Sequence, residues 1–169
     1  MTKLELLHPQ VAAAIKEHGL DVEVLECDPQ FADTVAFCEQ YKIAPEQTCN
    51  AIIVVGKSNP VRYVCGVTLA TCKLDVNKAV SGLLQIKRCS FATAEQTLDA
   101  TSMEIGGVTP IGVSSIPIYI DSRIMECEKI VLGGGNRSSK LLIKPSELKK
   151  LPNLQVINDL AVPRFEAGC

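Results

Sequence analysis

Residues 48–69 read TCNAIIVVGKSNPVRYVCGVTL. Two β-rich runs, Thr48 to Val55 and Val61 to Leu69, flank the turn signal GKSNP at Gly56 to Pro60, so the stretch predicts a β-hairpin. An antiparallel pair between sequence neighbours is incompatible with a purely parallel, doubly wound sheet. From Ile52 to Val55 the first run is apolar at every position, as in a strand buried on both faces. Alternation places Asn50, Ile52 and Val54 on one face, and an amide at Asn50 must find hydrogen-bond partners if it is buried.

On the N-terminal side, Pro9 to His18 has Pro at a first helical turn, apolar Val11, Ala14 and Ile15 at helical spacing, and Gly19 just past the end. A strand at Val22 to Glu26 follows. Ala32 to Tyr41 reads as a second helix with Val35, Ala36 and Cys38 toward the core. Asp33 and Thr34 lie in its first turn, where short side-chain oxygens ordinarily cap free N–H groups.

On the C-terminal side, Lys73 to Leu84 reads as helical from about Asp75, with Val76, Ala79, Val80 and Leu83 on one face. A short strand is expected within Gln85 to Phe91, and Thr93 to Gln96 matches a capping box for a helix through about Ala100. Strands are expected at Ile116 to Ile120, Lys129 to Leu132, Leu141 to Ile143 and Leu154 to Ile157. Asp121 and Ser122 cap a helix, Pro145 opens another ending near Lys150, and the tail from Pro163 to Cys169 is expected to be loose. The pattern predicts an α/β fold: one domain over residues 1–169, with a mixed, curved central β-sheet flanked by helices.

Composition narrows the function. At 47% hydrophobic and 21% charged residues over 169 positions, the chain can bury a core and is not disordered. A formal charge of -2 and 4% aromatics argue against broad nucleic-acid binding, DNA included, and against base-stacking platforms. The N-terminus lacks a signal-peptide core and no apolar run is long enough for a bilayer, so a cytoplasmic protein with reduced thiols is expected. The eight cysteines contain no C-x-x-C pair, and no metal site is expected. Only two histidines occur, His8 and His18, both at helix ends, which disfavours a Ser-His-Asp or Cys-His centre.

Two glycine-rich stretches remain. EIGGVTPIGV at Glu104 to Val113 is a shaped loop, either a tight connection or a ligand-facing one whose backbone N–H groups hold an oxygen. GGGNR at Gly133 to Arg137 lies between two expected strands, as a plain turn with a solvated Arg or as a turn that presents a guanidinium to phosphate or carboxylate. Neither matches a P-loop or a dinucleotide-binding spacing. With no catalytic His, no metal set and no evident nucleophile, an enzyme built from these parts acts on a bond already labile, by positioning and backbone donation.

Ala32-Asp33-Thr34, PEQ at Pro45 to Gln47, LDVNKAV at Leu74 to Val80, IGGVTPIG at Ile105 to Gly112, PIYID at Pro117 to Asp121 and GGGNR, in this order, make the chain similar to the YbaK / prolyl-tRNA-editing domain family. Members hydrolyse amino acids wrongly esterified to tRNA. The resemblance implies a trans-editing deacylase for a small amino acid, such as Ala or Cys on proline tRNA, working without a cofactor. Its partners would be the acceptor end of aminoacyl-tRNA and an aminoacyl-tRNA synthetase, with no membrane. It carries catalytic roles onto Gly106, Gly107 and Pro110 of the glycine loop and onto Asn50. It carries substrate contacts onto Thr34, Ile52, Thr109, Gly134 and Arg137. Asn50 stands where the family has a lysine, and Lys57 cannot substitute simply, lying roughly 23 Å along the strand. Either substrate geometry is altered, or the pocket is a catalytically silent module that binds an aminoacyl-adenosine-like ligand or a synthetase.

Overall fold

The computed structural model describes residues 3–164. A 3-10 turn at Lys3–Leu6 leads to α1 (Pro9–His18), which closes on Gly19 at a left-handed φ of 61°. β1 (Val22–Glu26), a 3-10 turn at Pro29–Phe31 and α2 (Thr34–Tyr41) follow. The hairpin is β2 (Cys49–Gly56) and β3 (Arg62–Leu69), antiparallel from Cys49 opposite Leu69 to Gly56 opposite Arg62. Next come β4 (Cys72–Leu74), a π turn at Val76–Val80 running into α3 (Ser81–Leu84), and β5 (Cys89–Phe91). α4 (Ala94–Thr101) opens on the expected capping box, with Thr93 and Gln96 satisfying each other's backbone N–H. β6 (Ile118–Asp121), β7 (Ile130–Gly133), β8 (Ser139–Ile143), β9 (Leu154–Ile157) and β10 (Ala161–Pro163) complete the described chain.

The strands form a five-stranded sheet of order β5-β2-β3-β6-β9, a three-stranded sheet β1-β8-β7 and the pair β10-β4. The five-stranded sheet is mixed, as the hairpin requires: antiparallel from β5 to β3, then parallel through β6 and β9. The main core lies between the two larger sheets, where Ile53, Cys65, Val67, Ile118 and Ile120 meet Leu132, Leu141 and Ile143, with α1 adding Val11 and Ile15. The other face of the hairpin, Val54 and Val64, is covered by Leu74, Val80, Leu84 and Leu160. That double cover explains the unbroken apolar run in β2. α2 packs against the back of the three-stranded sheet through Phe37, beside Cys27 and Val131.

Several expectations are corrected. In α2, Val35 is 73% exposed and Phe37 is the buried anchor, because the helix docks by its aromatic ring. Lys73 to Leu84 is not one helix: Cys72–Leu74 pairs with Ala161–Pro163, and the π turn that follows adds one residue, with Val80 N–H reaching the Asp75 carbonyl. The inserted residue turns Leu84 inward and leaves Leu83 at the surface. The tail begins as a strand rather than loose, with Arg164 Nε bonded to the Ala70 carbonyl; residues 165–169 of the expected tail lie outside the described residues. No helix among the described residues is long and apolar enough to cross a membrane.

Candidate functional site

A gap in the sheet creates the site. β5 pairs with β2 only from Val54 to Gly56, and at the other end Thr48 forms a single parallel bridge to Val131 of β7. Between these pairings the edge of β2 from Cys49 to Ile53 borders a cavity of about 270 Å³. The Ile53 carbonyl is taken by Ala92 N–H. Facing this edge are Ile105, Gly106 and Val108 of the glycine loop, Thr97 of α4, Asp33 and Thr34 at the start of α2, and Gly133 and Lys140 of the three-stranded sheet.

Asn50 finds the partner its position demands: the Thr34 hydroxyl donates to Asn50 Oδ1. That orientation leaves the Asn50 Nδ2 group free to donate, with no acceptor among the described residues. Thr34 and Asn50 also border a second groove, of about 520 Å³, with Val35, Ile43, Ala70 and Arg164 on its walls. The pair is therefore a polar wall between the cavity and an apolar neighbour.

The two glycine stretches are packed backbone to backbone. Gly135 N–H donates to the Gly107 carbonyl at 2.7 Å, and a Cβ on Gly133 would meet that same carbonyl oxygen at 2.6 Å. Gly106 has a φ of 96°, which only glycine adopts readily. Asn136 pins the turn between β7 and β8 through its Nδ2 on the Leu6 carbonyl and its Oδ1 on Ser139 Oγ.

Two cations tie the cavity's rims together. Arg137 donates to Asp33 at 3.1 Å, to the Ile105 carbonyl at 2.9 Å and to the Pro29 carbonyl at 2.9 Å, joining the glycine loop to the approach of α2 from outside. The Arg137 hydrogen bond holds the Asp33 carboxyl below the usual carboxylate range. Asp33 occupies the N-cap position but makes no cap bond, and Thr34 is turned to Asn50, so the expected capping roles are replaced by these contacts. Lys140 joins the same two segments from inside, Nζ lying 2.7 Å from the Ala32 carbonyl and 2.9 Å from the Gly106 carbonyl. Burial pushes its pKa down.

Of the residues singled out from sequence, Asn50, Ile52, Thr34 and Gly106 line the cavity. Gly107, Thr109, Pro110, Gly134 and Arg137 are not on its walls. Gly107 N–H is spent on the Glu104 carbonyl, so it is no free donor to a ligand. Thr109 and Pro110 are buried behind the loop, and Gly134 is held by Ser139 and His8. Arg137 is engaged rather than solvated. Cys49 also borders the cavity, but burial raises its thiol pKa and keeps it protonated, a poor nucleophile. No group of three or more His, Cys, Asp or Glu among the described residues is placed to hold a metal ion.

Lys140 lies just outside the strand expected at Leu141 to Ile143, and β8 in fact starts at Ser139. The available signal was its neighbourhood: SKLLI alternates Lys140 and Leu142 against Leu141 and Ile143, and a lysine inside a strand buried on both faces is out of place unless its charge is used.

A family model of the aminoacyl-tRNA editing domain matches residues 28–151. Among solved structures, the hypothetical protein APE2540 superposes with a TM-score of 0.80 at 21% identity, covering 90% of this chain and 99% of its own. A protein described as a candidate trans-editing enzyme for prolyl tRNA synthetase gives 0.75 at 21% identity, covering 90% and 97%. At these identities the superpositions speak for the fold.

Proposed function

Because the chain belongs to the aminoacyl-tRNA editing domain family, we propose that it is a trans-editing deacylase that removes a small amino acid wrongly esterified to tRNA, such as Ala or Cys on proline tRNA. The observation that carries this reading is the cavity at the β2 edge, small and enclosed by main chain on two sides, with Asn50, Thr34 and Gly106 converging on it. The acyl group occupies the cavity. The ribose lies against the Thr34–Asn50 wall, where Asn50 Nδ2 donates to the ester, and the terminal nucleoside extends toward the apolar groove beyond. Gly106 N–H, which makes no backbone bond among the described residues, faces the carbonyl as a second donor.

No protein base is required in this scheme. The ester is already activated by the vicinal ribose hydroxyl, which also assists the attacking water, and the protein contributes placement and oriented dipoles. A formal charge of -2 suits a protein that contacts only the acceptor end of tRNA. A synthetase is the natural docking partner of such an activity, and the cytoplasm is where its substrate is made.

The test is deacylation of a panel of mischarged tRNAs by purified protein. Release of Ala or Cys above the spontaneous rate is the expected result; no release from any member contradicts the reading. A silent binding module is the second reading, favoured by the neutral Asn50. It would be established by a wild type that binds without turnover and an Asn50→Lys variant that gains hydrolysis.

A further inference from the structure

Lys140 is the one cation on the cavity wall among the described residues, and it is set apart from carboxylates. Its residue is 7% exposed, and the Phe37 ring lies 5.3 Å from Nζ. No carboxylate among the described residues pairs with it, since the nearby Asp33 is taken by Arg137. Burying an ammonium without a counter-charge is costly, and two carbonyls compensate only part of that cost. An ammonium has three donors, and the Ala32 and Gly106 carbonyls use two. Apart from the face of the Phe37 ring, the third has no hydrogen-bond acceptor among the described residues. A positive charge kept in a low-dielectric pocket, with an unfilled donor, is suited to an oxygen that carries or acquires negative charge.

We infer that Lys140 is the oxyanion anchor of this site: its third N–H takes the acyl oxygen of the bound ester and stabilises the negative charge that develops there as water adds. The inference rests on the deacylase reading for its substrate. In the step, the water oxygen forms a bond to the acyl carbon and the carbonyl π pair moves onto the oxygen facing Lys140. The water proton passes to the ribose hydroxyl system, and collapse expels the ribose oxygen, which is reprotonated. Lys140 remains an ammonium throughout. By holding the Gly106 carbonyl it also fixes the peptide plane of the glycine loop beside the same oxygen.

The cation's surroundings bear on pH. Burial lowers its pKa, and Cys27, Arg137, Asp33 and Cys38 are the titratable groups around it. The ammonium is therefore lost at lower pH than an ordinary lysine loses it, and arginine in its place would keep the charge.

The experiment uses two non-hydrolysable probes, the 3′-amide analogue of alanyl-adenosine with a neutral carbonyl and the corresponding phosphonate with a tetrahedral anion. It adds the pair AMP and adenosine, to detect a cation serving a phosphate instead. The wild type should bind the phosphonate at least about tenfold more tightly than the amide, with the preference fading at alkaline pH. Lys140→Met should abolish the preference, and Lys140→Arg should retain it into alkaline pH. In turnover, Lys140→Met should lower kcat by about ten- to a hundredfold with KM little changed. Lys140→Gln, which keeps a donor to one carbonyl, stands in if the Met variant does not fold. A phosphonate preference that survives in Lys140→Met overturns the inference, as does a loss confined to AMP. If the wild type hydrolyses no ester yet shows the Lys140-dependent preference, the deacylase reading and the catalytic step fall together, and Lys140 stands only as the anion-binding group of the cavity.

Discussion

At the scale of single residues, the Thr34–Asn50 hydrogen bond is the contact on which the site's polarity turns. Thr34→Val removes the donor that fixes the amide, leaving Asn50 free to rotate. Asn50→Ala removes the Nδ2 donor itself. Each should lower kcat for deacylation by about tenfold or more, in line with the loss of about 1–3 kcal/mol for an unmade hydrogen bond in a shielded site, while circular dichroism remains unchanged. The Asp33–Arg137 pair is different in kind. Asp33 has a 67% exposed side chain, so its pairing is screened and contributes at most about 1 kcal/mol. Because the Arg137 hydrogen bond lowers the folded-state pKa of Asp33, its stabilisation is present above the ordinary carboxylate pKa and disappears as pH falls through the folded value. Thermal melts of the wild type and Asp33→Asn should thus differ slightly at neutral pH and converge in acid. A gap that widens on acidification would contradict this assignment.

At the scale of elements, the glycine loop and the β7–β8 turn behave as one unit. A Cβ on Gly107 would run into the Asn136 backbone, and one on Gly106 would run into the Arg137 guanidinium at a φ unfavourable to any other residue. Gly107→Ala should therefore cost about 1–3 kcal/mol of stability and release the loop from the turn, read as a lower Tm and faster proteolysis near Glu104. Unchanged stability would show that the two loops are not coupled. Elements with local signals were legible in the sequence: Pro9 and Gly19 bracket α1, and Thr93 with Gln96 opens α4. Elements made by distant partners were not. β4 exists because Ala161–Pro163 arrives beside it from far along the chain, and no periodicity in Cys72–Leu74 announces that. The π turn after Asp75 defeated a 3.6-residue reading for the same reason that it buries Leu84: it adds a residue to one turn. In the site, Asn50 and Gly106 were visible because their residue types are unusual where they stand. Lys140 looked ordinary beside a turn, and only the two-sided burial of β8 makes it anomalous.

At the scale of the whole molecule, the site follows from how two sheets meet. The hairpin is covered on one face by the three-stranded sheet across the main core and on the other by Leu74, Val80, Leu84 and Leu160, while the edge of β2 meets β7 at the Thr48–Val131 bridge. The edge of β2 that faces away from β3, left without a strand partner between Cys49 and Ile53, borders the cavity, which the glycine loop and the start of α2 flank. Arg137 and Lys140, both from the turn and strand at one side, stitch those enclosing segments together. The site is thus made of main chain from several elements, held in place by two cations. Such a space discriminates by size, and an acyl group larger by a few methylenes should be turned over at least about tenfold more slowly. The most direct measurement is single-turnover release of amino acid from one proline tRNA charged either with Ala or with Pro. The account predicts release of Ala well above the spontaneous rate, with Pro retained. Equal rates for the two, or no release of either from a protein that still binds the alanyl-adenosine amide, would contradict it.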